Sequence, residues 1–147
     1  MKTRTMFSAL AVVLSAGGAD AQSDPVKTRE HLMKENNNHA KVVVQMAKGQ
    51  APFNAKAVEA AFAQWADTAK QLPDLFPANA KTGGDNRASP KIWENKADFN
   101  AKIADFAKVV ADNKAKAVAS LDGLKAAVGA IGKSCGNCHD DYRLAKK

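Results

Sequence analysis

The chain is poor in the residues that usually carry chemistry. Its 147 residues include only two cysteines, three histidines, two tryptophans and one tyrosine. No acid–base pair or nucleophilic triad suggests a substrate reaction, so the chain is not expected to be an enzyme. Beyond residue 21 there is no second hydrophobic segment, no low-complexity stretch and no clear repeat, so no membrane insertion is expected for that part. The net charge is +7, yet the lysines are spread over every segment. No basic run interleaves with aromatics, which argues against nucleic acid. The even spread reads as a solvated surface, or as a surface that docks weakly and transiently to an acidic partner.

What little sulfur there is lies close together. Cys135-Gly136-Asn137-Cys138-His139 places two thiols three apart with an imidazole directly after them. This is the C-x-x-C-H pattern of c-type haem attachment. Each thiol adds across one vinyl group, and the i, i+3 spacing puts both sulfurs on one side of a helical turn. His139 then reaches the iron as proximal ligand. A thiol–disulfide redox pair is a second reading, but it expects a βαβ context that is not visible. A zinc site is a third, and it needs more ligands. The other histidines, His31 and His39, are far upstream with no cysteine near them.

The N-terminus reads as an address. Lys2 and Arg4 form a basic start, Phe7 to Leu14 a short apolar stretch, and Ala19-Asp20-Ala21 a small-residue cleavage site. Residues 1–21 are therefore expected to be a cleaved secretory signal peptide, leaving a single domain at 22–147. Covalent haem fits an exported, periplasmic protein.

Proline and glycine divide that domain into four helical segments. The first opens at Asp24-Pro25 and stops near Gly49; the second opens after Asn54 and ends before Pro73. The third opens at Ser89-Pro90, and the fourth opens near Ser120 and runs to the C-terminus. The connection 73–90 is long enough to cover something or to be mobile. Apolar residues recur at steps of three and four throughout. In the fourth segment Leu121, Leu124, Val128, Ile131, Cys135, Cys138 and Tyr142 form one unbroken seam. The expected fold is all-α, an antiparallel up-down-up-down four-helix bundle with one covalently attached haem inside it.

Antiparallel packing predicts what faces His139. His139 lies eight residues before Lys147, and Met33 lies eight residues after Pro25. At helical rise both stand about 12 Å from the same end. Met33 also shares a seven-residue rail with Val26, Ala40 and Ala47, so it is the candidate distal ligand; the competing reading is a core methionine that fills space. His31, about 200° around the helix from Met33, should face solvent. His39 and Met46 lie too far along the axis. Arg29, one turn before Met33, reads as a partner for a haem propionate or as a solvated arginine. Trp93, with Trp65, Ala69, Leu72 and Ile92, either walls the haem or caps the core. Asn36 and Asn37 occupy positions where a bundle prefers apolar groups, and nothing in the sequence explains them. Arg143, one turn past His139, either tunes the iron or serves as a cation at the helix C-terminus.

Together these residues resemble a known family. The C-terminal Cys-Gly-Asn-Cys-His-Asp-Asp-Tyr-Arg, the Ser-Pro-Lys-Ile-Trp at 89–93, the Lys-Gly-Gln-Ala-Pro-Phe turn at 48–53 and the Arg29-x-x-x-Met33 pair are similar to class II c-type cytochromes, the cytochrome c′ family. The resemblance covers essentially everything after the leader. Leu32-Met33-Lys34 and Leu72-Pro73-x-Leu75-Phe76-Pro77 look most like the low-spin, c-556 branch. The resemblance implies one haem c (iron) per chain, thioethers at Cys135 and Cys138, a proximal His139 and a distal position at Met33. Where the methionine binds, the protein is a periplasmic electron carrier with His/Met axial ligation. Where it does not, the iron is five-coordinate and binds NO or CO. Relatives of the latter kind often pair through their first two helices, so the chain is expected as a monomer or homodimer.

Overall fold

A computed structural model of the chain describes residues 24–81 and 86–145; the expected leader, 1–21, lies outside them. Four long helices run α1 Pro25–Ala47, α2 Ala55–Gln71, α4 Lys96–Ala119 and α5 Leu121–Tyr142, with a single-turn α3, Lys91–Glu94, between the second and third of them. They form an antiparallel four-helix bundle. In cross-section α1 packs on α2 and α5, and α4 packs on the same two helices.

Local chemistry sets the ends. The Asp24 carboxylate accepts from Val26 N at 2.9 Å, and Pro25 opens the first turn where its missing N–H costs nothing. Gly49, at φ 72°, closes α1; its N–H and that of Gln50 donate back to Met46 and Gln45 carbonyls. Asn54 caps α2 through Ala57 N, and Ser120 caps α5 through Gly123 N.

The third predicted helix is not one piece. It breaks at Asn95 (φ −130°, ψ 57°) and restarts at Lys96. Tertiary bonds hold the break: Trp93 Nε1 donates to the Phe76 and Pro77 carbonyls, and Lys96 Nζ to that of Pro73. The fourth predicted helix also ends early. Arg143 is extended (φ −118°, ψ 126°), where it pairs as an isolated antiparallel bridge with Ala88. Ser89 N donates to Tyr142 O and Leu144 N to Arg87 O. The long connection is therefore tied to the end of α5.

Two apolar clusters fill the bundle. One is built on Val43, Phe62, Trp65, Val110, Leu124 and Ile131, with Cys135 packed against it. The other holds Leu72, Ile92, Phe99, Ile103 and Tyr142, with Met33, Trp93 and Cys138 against it. The two cysteines thus straddle the junction between the clusters.

The α4–α5 corner is tight. A Cβ on Gly123 would collide with the Lys116 carbonyl oxygen. Gly123→Ala is expected to lower stability, although alanine favours a helix over glycine by about 1 kcal/mol. Overpacking of about 1–3 kcal/mol outweighs that gain. A urea midpoint equal to wild type or higher would refute this.

Candidate functional site

The seam of α5 brings the two thiols and the imidazole to one cleft. Cys135, Cys138 and His139 are all half-buried and line a largely apolar hollow of about 650 Å³. Met33, Asn36 and Val43 line it from α1, Trp65 from α2, and Ile103 and Phe106 from α4. A second opening of about 340 Å³ shares Met33, Cys138, His139 and Arg143 and adds Arg29, Arg87 and Tyr142. Met33 and His139, 106 positions apart in the chain, thus face shared space, as the depth argument expects. His31 is exposed and Met46 is sealed in the core.

The electrostatics suit a covalent, metal-bound use of these groups. Burial pushes the Cys135 thiol up and, with neighbouring acids, holds Cys138 up at about 11. Thiol–disulfide enzymes need the opposite, a thiolate favoured near neutral pH. Burial and the charges of Arg143 and Arg87 push His139 down, against Asp140. Its imidazole is therefore neutral at pH 7, the form that binds a metal. Among the described residues no group of three or more His, Cys, Asp or Glu side chains is placed to hold a metal ion, so the zinc reading finds no shell. Two thiols on one side of a turn, an adjacent neutral imidazole and a thioether across the hollow are a donor set that fits haem c.

Arg29 and Trp93 sit beside this space with other partners. The Arg29 side chain is buried, not solvated: Nη1 donates to Leu75 O at 2.6 Å, and Nη2 to Ala80 O at 3.0 Å and Asn86 Oδ1 at 3.3 Å. Its guanidinium lies 4.4 Å from the Phe76 ring centre. Trp93 lines neither opening; it packs edge-on against Phe76 and anchors the loop through its indole. Arg143 is exposed and lines both openings.

Some contributors were not foreseen. Tyr142, read as part of the apolar seam, donates its hydroxyl to Asp98 Oδ2 at 2.5 Å, next to a Lys102–Asp141 ion pair of 2.9 Å. The hydrogen bond, then burial, then nearby negative charge push Tyr142 up to about 12. Only the protonated phenol can donate, so stability from this bond is intact below the unfolded value near 10 and is lost as pH rises through the folded one. Tyr142 is the only tyrosine in the chain, so ¹³C NMR of its Cζ isolates it. Titration is expected well above the ordinary value, with Asp98→Asn bringing it down. An ordinary midpoint in wild type would refute the assignment.

Comparison with known proteins agrees with this geometry. The family model described as Cytochrome C′ matches residues 24–143. The chain is 44% identical over 144 residues to cytochrome c-556 of Rhodopseudomonas palustris, covering 95% of this chain and 96% of that protein. It is 43% identical over 149 residues to cytochrome c′ of the same organism, covering 99% of each. The solved structure of cytochrome c′ from Rhodopseudomonas palustris superposes with a TM-score of 0.79 at 38% identity, covering 86% of this chain and all of that one. A bundle of this form, with a C-x-x-C-H seam opening onto an apolar cleft, belongs to the cytochrome c′ family, whose cofactor is covalently attached haem c.

Proposed function

We propose that the chain is a periplasmic carrier of single electrons and not an enzyme. The observation that carries this reading is that Met33 on α1 and His139 on α5 line the same cleft. Cys135 and Cys138 would hold the haem by two thioether bonds, with His139 as the proximal and Met33 as the distal donor to its iron. When bound, the haem supplies an iron that alternates between the ferric and ferrous states. A methionine thioether favours the ferrous state and raises the potential. Two protein ligands would close the site and so keep structural change on electron transfer small. The apolar walls, Ile103, Phe106 and Trp65 among them, restrict water and thereby tune the potential as well. Arg29 and Trp93 support the haem through the loop they anchor. Redox partners dock weakly and briefly near the cleft mouth, where Lys34 and Arg143 are exposed. Export follows from the leader read at residues 1–21. No helix among the described residues is long and apolar enough to cross a membrane.

A second reading, a five-coordinate haem that binds NO or CO, is favoured by one observation: the likeness to cytochrome c′ is nearly equal to that to cytochrome c-556. Visible spectra of the holoprotein separate the two. Low-spin ferric and ferrous bands, unaltered by carbon monoxide, support the electron carrier. A high-spin spectrum that shifts promptly with the gas overturns it in favour of ligand binding.

A further inference from the structure

The position of Met33 depends on how α1 is held, because an iron–sulfur bond is lost on a short displacement. Val43 and Met46 of α1 share one buried apolar cluster with Val58, Phe62 and Trp65 of α2. Such contact is strong but non-directional, and by itself it does not fix a helix against sliding or rotation.

Toward α2, one residue supplies the missing direction. Asn36 lies three positions after Met33 and lines the same cleft. Thr68, on α2, is fully buried, and its Oγ1 donates to Asn36 Oδ1 at 2.8 Å. Gln64 Nε2 reaches Asn36 Oδ1 at 3.5 Å and Thr68 Oγ1 at 3.2 Å. Trp65 Nε1 donates to the Asn36 backbone carbonyl at 3.4 Å. Among the described residues, every side-chain hydrogen bond between α1 and α2 converges on Asn36. A buried hydroxyl and a carboxamide on an apolar face cost free energy unless they are paired. Paired, they specify one register between the helices. This also accounts for an asparagine at a position that a bundle would fill with an apolar side chain.

We infer that Asn36 and Thr68 are positioning residues for Met33: their clasp holds α1 in the register from which the Met33 thioether would reach a haem iron in the cleft. This rests on the reading of Met33 as a ligand. Without the clasp, α1 would keep its apolar packing but its register would relax, and the thioether would be held less firmly toward the iron.

The test uses haem-loaded protein carrying Thr68→Val, Thr68→Ser or Met33→Ala, read by ferric spin state and by carbon monoxide uptake of the ferrous form. Thr68→Val keeps the shape and removes the donor. It is expected to show a high-spin fraction and gas uptake on the order of tenfold faster than wild type. Thr68→Ser loses a methyl group, keeps the donor, and is expected to retain the wild-type spectrum. A Thr68→Val protein as low-spin and as gas-resistant as wild type overturns the inference. So does a Thr68→Ser protein that loosens as much as Thr68→Val, since packing and not the hydroxyl would then be responsible. Met33→Ala separates the two levels: if it leaves the ferric spin state unchanged, the ligand reading itself has failed. If it converts the spin state while Thr68→Val does not, only the positioning role has failed. Should Thr68→Val not fold into a loaded bundle, Asn36→Ala deletes the other partner at a partly exposed position, and the same two results decide.

Discussion

Met33→Ala is expected to turn the ferric protein from low-spin to high-spin and to open the ferrous protein to prompt binding of carbon monoxide. Alanine has no donor atom, and few side chains nearby can replace the sulfur. Leu72, Ile103 and Phe106 are apolar, and His31 is exposed on another face of α1. The reduction potential should fall with the thioether, because methionine ligation favours the ferrous state. The fold should survive. Met33 is half-buried, so the cost stays below the roughly 2–5 kcal/mol of a fully buried methionine truncated to alanine. Visible absorption of both oxidation states, with and without the gas, reads the result. An unchanged ferric spin state would remove Met33 from the coordination sphere, and if that state is high-spin in both proteins the gas-binding reading stands instead.

Arg29→Ala should produce the largest loss of stability of the substitutions considered, about 3–5 kcal/mol, because three hydrogen bonds from a charged donor to neutral acceptors, each worth about 1.5–3 kcal/mol, are lost and water repays part of them. Arg29 is 6% exposed and gathers Leu75 O, Ala80 O and Asn86 Oδ1 with its two terminal nitrogens. Burial lowers its pKa, and Asp24 and Glu30 only partly counter this. Removing the guanidinium leaves loop carbonyls without donors and removes a cation from the Phe76 ring. Lysine is no substitute, because a single ammonium cannot present a planar fork to three acceptors. Denaturant unfolding of the loaded protein measures the loss, and limited proteolysis should find new cleavage between Leu75 and Arg87. A variant with the wild-type denaturation midpoint and no new cleavage would show that the loop stands without Arg29.

Much of the site was legible because the chemistry is local. Thioether attachment and proximal ligation need contiguous residues, so Cys135, Cys138 and His139 announce themselves. Met33 followed from one geometric rule, equal depth in antiparallel helices, and it does line the cleft with His139. What escaped depends on partners distant in the chain. The Arg29 acceptors are 46 to 57 positions away, and no periodicity reveals a loop carbonyl as a partner. Asn36 showed as a polar residue on an apolar face, but Thr68, its reason, is on another helix. The break at Asn95 has no proline or glycine to mark it; it is made by Trp93 and Lys96 reaching the 73–77 carbonyls. The end of α5 was misplaced for a similar reason, since the pairing of Arg143 with Ala88 competes with a further helical turn.

The ring order of the bundle bears on how the protein is assembled. α1 and α5 are neighbours in space but opposite ends of the domain in chain order. Three walls of the cleft therefore emerge before the segment that carries the thiols, and the fourth closes only when that segment docks. α5 follows α4 after a single residue and packs most extensively on it, whereas its contact with α1 closes almost the whole domain into a loop, the kind of contact that forms late. The cleft is therefore complete only once α1 and α5 meet, and until then its α1 side, with Met33, stands open beside both sulfurs.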